Sequence, residues 1–305
     1  MEPLFAQEKA RWLEDLHWDY QASLQLIAKF IDSKSLAGCA AFAGAEPAGY
    51  GFYVLEENKA LVGGLFVAPQ YGAGDTAARL LAHLLEMVRQ SPGVERVEAQ
   101  LMPFGAPLDS VFAAAGFRLY QRNFMLMPLA NAKAEPEPLG EGLRIEPWDD
   151  HWFEPCAALI QRAYAGHVDG EINDQYRSEA GALRFLKNIV VLPGCGQFQP
   201  RASFVVRQAK GAGGEAWSPN DLMAAILTSC VSHGVGHTTQ VCILPEFRKQ
   251  GLGRRLMAAS IQAMKAMRYH ALSLTVTAQN APAVRLYEQI GFQLVKTFSA
   301  AVWQS

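Results

Sequence analysis

The chain has 305 residues, of which 50% are hydrophobic and 18% are charged, so it can bury substantial cores and is not a disordered polymer. Its formal net charge of −2 and its sequence pI of about 6.4 argue against general nucleic-acid affinity. The five cysteines are scattered without a CxxC pair, which favours buried thiols in a reducing compartment over a disulfide framework or a zinc site. The N-terminal sequence has no signal-peptide pattern, and no apolar run approaches membrane-spanning length. We therefore expect a soluble cytoplasmic protein without a membrane partner.

In the first half of the chain, segments in which apolar residues recur with the period of a helix alternate with segments in which they recur with the period of a strand. They predict, in chain order, helices near residues 4–16 and 20–33, strands near 37–43 and 48–56, a helix at 76–89, a strand at 94–101 and an apolar helix at 108–115. Pro69 precedes the third of these helices, and Gly116-Phe117 follows the last one.

Residues 131–142 are polar and rich in Pro, Glu, Ala and Gly, which is typical of an interdomain linker. The pattern after it predicts, in chain order, a strand at 143–147, helices near 152–164 and 178–189, strands at 203–208, 222–231 and 238–244, a helix from Leu252, a strand at 272–277 and a last helix before Gly291-Phe292. The long Gly-rich loop at 209–220 is expected to be mobile.

The two halves follow the same order of elements with nearly the same spacing. Pro69 and Phe117 are 48 residues apart, and Pro245 and Phe292 are 47 residues apart. Such internal repetition predicts a duplicated domain. We therefore divide the chain into a first domain at 1–130, a linker at 131–142 and a second domain at 143–305.

The turn Arg248–Gly253 lies at the step from a predicted strand into a predicted helix. Its two glycines permit a tight turn, and the first N–H groups of the helix point into that turn. Together with the helix dipole, they make a site for a phosphate or pyrophosphate. Arg248, Lys249, Arg254 and Arg255 add positive charge around it. The alternatives are a solvated helix end or a basic tract for nucleic acid.

In this turn and in a second block of residues the chain resembles the GNAT superfamily of acyl-CoA-dependent N-acetyltransferases. The family turn reads Arg/Gln-x-x-Gly-x-Gly/Ala, and Arg248–Gly253 matches every fixed position. The family's second block is matched by Asn280, Ala283, Leu286-Tyr287-Glu288 and Gly291-Phe292. The fold class implied is α/β with a mixed α+β sheet. We expect two tandem GNAT-like folds, each a central, mostly antiparallel sheet flanked by helices.

The resemblance implies that the chain transfers an acetyl group from acetyl-CoA to a primary amine, by direct attack in a ternary complex and without a metal. The turn and the strand before it would bind the cofactor, and the implied cofactor residues are Val241, Cys242, Ile243, Arg248, Lys249, Gln250, Gly251, Leu252, Gly253, Arg254, Asn280 and Ala283. Cys242 is expected to be a buried structural thiol rather than a nucleophile. A metal pair of His233 and His237 is the remaining alternative, and it has no evident third ligand.

His237 stands where the family places a general base, at the start of the cofactor strand, and Tyr287 is the implied general acid. A neutral imidazole can accept the proton of an ammonium near pH 7, and a phenol remains protonated there and can donate to a thiolate. The structural alternatives are that His237 ends the hairpin turn and faces solvent, and that Tyr287 only packs in the core.

In this fold the acceptor lies near the link between the first two helices of the domain, here Tyr164–Tyr176. Its candidate acceptor residues are His167, Asp169 and Glu171, with Asp174 as a further carboxylate. Clustered carboxylates favour a cationic small-molecule or protein amine, whereas the alternative is an exposed loop whose Asp and Asn side chains cap the next helix. Trp217, in the loop at 209–220, could cover the acceptor site.

The first domain resembles the same fold without the same site. Aligned on the two prolines, Gly72, Asp75 and Ala77 stand where the second domain has Arg248, Gly251 and Gly253. A carboxylate at Asp75 can cap a helix but repels a phosphate. We therefore expect a degenerate, catalytically silent first copy, as in tandem members of the family. The alternative function is a non-catalytic acyl-CoA-binding sensor or a partner-recruiting module.

Overall fold

The computed structural model describes residues 1–102, 104–105, 107–135, 138–140, 142–208 and 221–305. The loop at 209–220, including Trp217, lies outside these residues. The chain forms two compact units: unit 1 contains Met1–Arg122 and Thr297–Ser305, and unit 2 contains Asn123–Lys296. None of the helices among the described residues is long and apolar enough to cross a membrane.

Unit 1 is an open sheet covered by helices. Its elements are α1 (Glu2–Leu16), α2 (Gln21–Asp32), β1 (Ala37–Ala43), β2 (Glu46–Glu56), β3 (Lys59–Val67), α3 (Thr76–Gln90), β4 (Arg96–Gln100), α4 (Asp109–Ala114) and the parts of β5 (Arg118–Pro128) and β12 (Gln293–Gln304) that fall within its bounds. The strand order is β1-β2-β3-β4-β12, in which β3 and β4 are parallel and the other neighbours are antiparallel.

Helix α3 shows why these residues become a helix on that sheet. Its leucines at 80, 81, 84 and 85 are buried together with Val88, which is the spacing of one helical face. All of them except Leu80 pack against residues of β2, β3 and β4 in the core of unit 1. The opposite, charged face of α3 is left exposed.

Unit 2 repeats this plan with a larger sheet. Its elements are β6 (Leu143–Pro147), α5 (Phe153–Tyr164), α6 (Val168–Ile172), α7 (Glu179–Val190), β7 (Gln197–Phe198), β8 (Phe204–Gln208), β9 (Leu222–Ser232), β10 (Val235–Ile243), α8 (Leu252–Ala266), β11 (Ala271–Thr277) and α9 (Ala281–Ile290). The strand order is β5-β11-β10-β9-β8-β6, and β7 pairs with β9. Helices α5 and α7 pack on one face of the sheet, and α8 and α9 on the other.

The predicted fold class is confirmed, since both units are mixed sheets flanked by helices. The helices and strands that the sequence predicts are all present, with ends shifted by a few residues. Strands β3, β5, β7 and β12 and helix α6 are findings that the sequence analysis does not contain. The unit bounds also differ from the predicted division of the chain, because β12 pairs with β4 and Thr297–Ser305 therefore belongs to unit 1.

In unit 2 two parallel strands stop pairing before they end. Strand β10 pairs with β11 from Val235 to Thr238, and after a register shift β10 runs on to Ile243 alongside β9 only. We call the opening between β10 beyond Thr238 and β11 beyond Leu274 the strand slot. The same feature occurs in unit 1, where β3 pairs with β4 from Lys59 to Val62 and continues to Val67.

Candidate active site

The turn at Arg248–Gly253 has the backbone of an anion site. Lys249 has a φ of 61° and Gly251 a φ of 79°, both in the left-handed region. Gly251 is the N-cap of α8 and supplies no side-chain cap, so the first N–H groups of that helix have no capping partner. A β-carbon at Gly251 collides with Arg255 Nη1, and one at Gly253 lies 3.2 Å from Leu286 and 3.3 Å from Ile243. Both glycines are therefore required by the local backbone and packing.

The arginines of this turn also hold its shape. Arg255 donates to Gln250 O at 3.0 Å and to Pro138 O at 2.9 Å, while Arg254 donates to Lys133 O at 2.7 Å. A guanidinium has five N–H donors, so these bonds leave each arginine able to contact an anion as well. Arg254 and Arg255 thus flank the turn, and part of their hydrogen-bonding capacity is used on carbonyls.

Strand β10 presents two backbone carbonyls to the strand slot. Leu244 N donates to Met223 O of β9 at 2.9 Å, so residues 241 and 243, one step out of phase, face away from β9. Side chains satisfy both carbonyls: the Tyr164 hydroxyl donates to Val241 O at 3.1 Å, and Arg248 Nε donates to Ile243 O at 3.2 Å. This edge of β10 can therefore accept hydrogen bonds from a partner other than a strand.

His237 is buried within β10, at 7% exposure, so the solvent-facing alternative is wrong. Its ring stacks on Phe124 with centroids 6.0 Å apart, and its Nδ1 lies 2.9 Å from Ser273 Oγ. Ser273 Oγ donates its one proton to Gly236 O at 3.2 Å, so it accepts from His237 Nδ1–H. That bond leaves Nε2 of a neutral His237 as the basic nitrogen.

Several polar atoms around His237 are buried without a hydrogen-bond partner in the described part of the chain. They are Ser229 Oγ, Thr238 Oγ1 and Gln240 Nε2. Ser229 is directly opposite His237 in the β9–β10 pair, so both side chains are on one face of the sheet. Buried polar atoms normally have partners. Their concentration on these two strands marks a place built to receive polar groups.

Tyr287 lies on α9, 8% exposed, in the core beside Phe292. Burial raises the pKa of its hydroxyl well above the usual value, and the Asp169 carboxylate raises it further. The hydroxyl therefore stays protonated through the neutral range. The charge of Asp169, which comes from the opposite face of the sheet, acts on Tyr287 across the strand slot.

The predicted acceptor residues are divided by the structure. His167 and Asp169 lie at the start of α6, where Thr277 donates a short hydrogen bond to Asp169 and His167 Nε2 lies 3.5 Å from Asn280 Nδ2. Burial lowers the pKa of His167, against the nearby carboxylate of Asp169. Glu171 is instead exposed on α6.

The link Tyr164–Tyr176, which the sequence leaves as an open loop, contains α6 and a 3-10 turn. The side chains of His167 and Asn173 cap these two elements, and Ser178 caps α7. Tyr164 and Tyr176 stack with ring centroids 4.4 Å apart. The link is thus ordered rather than an exposed loop, although side-chain capping, predicted as its alternative role, also occurs.

Two further predicted residues lie near the ends of elements that line the site. Asn280 Oδ1 accepts from Ala283 N at 3.4 Å as the N-cap of α9. Cys242 is buried against α5, and burial raises the pKa of its thiol to about 12, so it is not poised as a nucleophile. Thr277, Phe124 and Ser273 were not predicted. Ser273 and Thr277 lie in a predicted strand, but only strand pairing reveals their partners.

Comparison with known proteins identifies the class of protein. A profile described as the acetyltransferase (GNAT) family matches residues 199–292. The chain is 30% identical over 245 residues to the mycothiol acetyltransferase of Thermobispora bispora, which covers 79% of this chain and 76% of that protein. It therefore belongs to the GNAT family and is an acyl-CoA-dependent N-acetyltransferase.

Solved structures give the same fold for most of the chain. A tandem GNAT protein from the clavulanic acid biosynthesis pathway superposes with a TM-score of 0.58 at 15% identity, covering 87% of this chain and 81% of that one. A GCN5-related N-acetyltransferase from Sphaerobacter thermophilus superposes with a TM-score of 0.59 at 15% identity, covering 86% and 78%. The predicted family and its tandem organisation are confirmed by these likenesses together with the sequence match.

Proposed function

We propose that unit 2 transfers an acetyl group from acetyl-CoA to a primary amine, by direct attack in a ternary complex. The observation that carries the proposal is that two binding features follow one another along the chain: the free edge of β10 and the turn before α8. The carbonyls of Val241 and Ile243 lead along β10 to the uncapped, left-handed turn at Gly251. An extended pantetheine arm suits the first, and a pyrophosphate suits the second.

Bound acetyl-CoA supplies a thioester carbonyl as the electrophile. The backbone amides at the start of α8 hold its pyrophosphate, with Arg248, Lys249 and Arg254 as counter-charges. When the pantetheine arm binds, it forms hydrogen bonds with the main-chain groups of Val241 and Ile243. It takes the place of the side chains of Tyr164 and Arg248 there. Arg248 then releases Ile243 O but keeps its hydrogen bond to Ala163 O. Tyr164 releases Val241 O, and its single hydroxyl proton is then free for a group of the bound substrate.

His237 accepts the proton that the attacking ammonium releases, at Nε2 and either directly or through a water. Its Nδ1–H remains on Ser273, which fixes the tautomer and the ring plane. Tyr287 donates its hydroxyl proton to the departing thiolate. The ammonium loses two protons on becoming an amide: the first goes to His237 before the attack, and the second leaves the nitrogen after the C–N bond forms and the C–S bond breaks. The second proton balances the one that Tyr287 gives to the thiolate and returns Tyr287 to its protonated form, and His237 then releases the first proton to water.

The acceptor enters on the face of α5 and α6. Asp169 lies at the strand slot and attracts a cationic amine, while His167 is neutral because burial lowers its pKa. Gln240 Nε2 and Ser229 Oγ offer two buried polar atoms for other groups of the acceptor. Unit 1 is expected to be catalytically silent, since Gly72 and Asp75 replace the turn residues Arg248 and Gly251.

The test is CoA release against a panel of primary amines, followed for the wild type, His237→Ala and His233→Ala. His233 is an exposed residue of the same hairpin and serves as the matched control. We expect His237→Ala to lower kcat by roughly 10²-fold or more, most strongly below the pKa of the amine, because a general base contributes that much. His233→Ala should behave as wild type.

Thermal stabilisation by acetyl-CoA without turnover of any amine would support the non-catalytic acyl-CoA sensor instead. Absence of stabilisation by several acyl-CoA molecules overturns the proposed cofactor site altogether. Full activity of His237→Ala with a saturating amine removes the assignment of the base.

A further inference from the structure

Unit 1 contains a cavity of about 490 Å³ at the place where β3 and β4 stop pairing. This is the counterpart of the strand slot: Pro69 follows Val62, the last paired residue of β3, at the same interval as Pro245 follows Thr238 in β10. The volume falls within the range of sites for small molecules. Exposed Gly105 and Pro107 mark its opening to solvent.

The walls of the cavity are mainly apolar. Its apolar lining residues include Leu65, Phe66, Phe104, Leu108, Phe112 and Phe298. Phe66, Phe112 and Phe298 are 1%, 3% and 5% exposed, so they are fixed parts of the core rather than mobile surface groups. Phe112 is the residue near which Tyr287 aligns, and its ring has no hydroxyl to donate. An apolar ligand body fits these walls.

The turn beside this cavity is not an anion site. Gly72 has a φ of −79°, and Asp75, the N-cap of α3, has a φ of −88°, whereas Lys249 and Gly251 of unit 2 are both left-handed. No lysine or arginine stands between Pro69 and Asp75. The carboxylate of Asp75 lies where a phosphate would bind. A ligand of this cavity therefore has no phosphate group.

Two charged residues are among the described lining residues. The charge of Arg11 is balanced by carboxylates of its own helix, at 2.9 Å from Asp15 and 3.8 Å from Glu14, although its buried Nε has no hydrogen-bond partner among the described residues. Asp109 instead accepts from neutral groups, Ser299 Oγ at 2.9 Å and Gln121 Nε2 at 3.5 Å. The polar end of the cavity is thus negative.

We propose that this cavity is a binding site for an apolar amine, whose ammonium group pairs with Asp109 and whose hydrocarbon body contacts the phenylalanine walls. The site is distinct from the acetyl-transfer site of unit 2 and stands whether or not the proposed mechanism is correct. An ammonium next to Asp109 gains a charge-assisted hydrogen bond, whereas a carboxylate there is repelled. The phenyl rings also favour a cation near their faces.

The test measures the affinity of the full chain for four probes by calorimetry: n-hexylamine, methylamine, n-hexanol and hexanoate. We expect n-hexylamine to bind most tightly, because it alone has both the cation and the apolar body. Asp109→Asn, an isosteric change, should weaken n-hexylamine binding about tenfold or more and leave n-hexanol unchanged. Asp32→Asn, at an exposed carboxylate of α2, is the matched control.

Equal affinity of the wild type and Asp109→Asn for n-hexylamine overturns the proposal, as does binding of hexanoate as tightly as n-hexylamine. If methylamine binds as tightly as n-hexylamine, the interaction is only an ion pair with Asp109 and the apolar walls contribute nothing. That result also overturns the proposal. Acetyl-CoA-dependent turnover should be the same in Asp109→Asn as in the wild type. If Asp109→Asn loses turnover, the two sites are not independent; the proposed binding of the amine at Asp109 is judged by the affinities alone.

Discussion

Tyr287 combines two properties that a proton donor needs. It is protonated at neutral pH, because burial and the Asp169 carboxylate both raise its pKa, and it lies at the strand slot. We predict that Tyr287→Phe lowers kcat by about 10²-fold, since a general acid contributes on that order, with little change in the KM for acetyl-CoA. Steady-state kinetics checks this, and Tyr71→Phe, at a partly buried tyrosine of unit 1, is the control.

If Tyr287→Phe retained full kcat, the residue would be a core aromatic and the thiolate would take its proton from water. A large drop in the melting temperature of Tyr287→Phe would also count against a direct role, because unfolding of the variant would then explain its loss of activity. The ring is retained in the variant, so we expect the melting temperature to stay within a few degrees of the wild type.

A second residue, Glu8, ties the stability of unit 1 to pH. Its carboxyl is buried on α1, where Tyr50 donates to it at 2.5 Å and Trp12 at 3.3 Å, and burial raises its pKa from 4.5 to about 7. The unfolded chain loses this proton near pH 4.5 and the folded chain near pH 7. The contribution of Glu8 to the free energy of unfolding of unit 1 is therefore fully present below pH 4.5. It is lost as the pH rises to 7, which lowers the free energy of unfolding by on the order of 3 kcal/mol.

Glu8→Gln removes the titrating group and keeps its shape. We predict that the variant loses this fall in stability between pH 4.5 and 7 and becomes more stable than the wild type at pH 8. Denaturant unfolding at several pH values measures it, with Glu2→Gln, an exposed residue of the same helix, as the control. Parallel pH curves for the wild type and Glu8→Gln would falsify the assignment.

The N-terminus of α8 is the element on which cofactor binding depends. Gly251 has a left-handed φ of 79°, which strains any residue with a β-carbon, and a β-carbon there would displace the Arg255 guanidinium. Gly74 in the corresponding turn of unit 1 has open space around that position. Gly251→Val therefore distorts the turn and occludes the free N–H groups. We predict that it abolishes the rise in melting temperature on adding acetyl-CoA.

Gly74→Val is the matched control, since it makes the same chemical change in the copy that has no anion site. It should leave the acetyl-CoA shift as in the wild type. If Gly251→Val kept the full shift, the pyrophosphate would have to bind elsewhere. If Gly74→Val lost the shift, the turn of unit 1 would contribute to cofactor binding.

Elements with strong periodicity could be predicted from the sequence, and weaker ones could not. Helix α3 places five apolar residues on one face, and the turn at Gly251 follows directly from its glycines. In contrast, β3 is interrupted by Gly63-Gly64 and β12 by Ser299–Ala301, residues with low strand propensity. These strands form because their neighbours in the sheet supply the hydrogen bonds.

The residues of the candidate site likewise divide into those that could be predicted from the sequence and those that could not. His237, Tyr287 and the turn could be found because motif and spacing are local in the sequence. Phe124 and Ser273, which fix the ring and the tautomer of His237, could not, because they reach it by strand pairing and by stacking from β5. Asp169 was a candidate only by charge, and its hydrogen bond to Thr277 depends on α6, which the sequence does not predict.

At the scale of the whole molecule, unit 1 depends on the last segment of the chain. Val302 and Ala301 of β12 are buried in it, and β12 pairs with β4 from Ala300 to Gln304. Arg89 lies over the ring of Trp303 at 5.5 Å and adds a cation–π contact. We predict that a chain ending at Lys296 exposes β4, so that its amides at Arg96–Gln100 exchange with solvent quickly.

Hydrogen exchange resolved by peptide checks this prediction, and a chain ending at Gln304 is the control. Slow exchange of β4 in the shortened chain would show that β12 is dispensable for unit 1. The parallel pairs of β10 with β11 should stay protected, because they belong to unit 2 and involve no residue of the removed segment.

The return of β12 to β4 also sets an order of events during synthesis. Arg96 contacts Gln304, a residue made 208 positions later, so unit 1 cannot complete its sheet until the residues of unit 2 have been synthesised. Closing so long a loop is slow in entropic terms, and until then one edge of β4 is unpaired. The nascent chain therefore carries an unpaired strand edge throughout the synthesis of unit 2, and such edges are where incompletely folded chains associate.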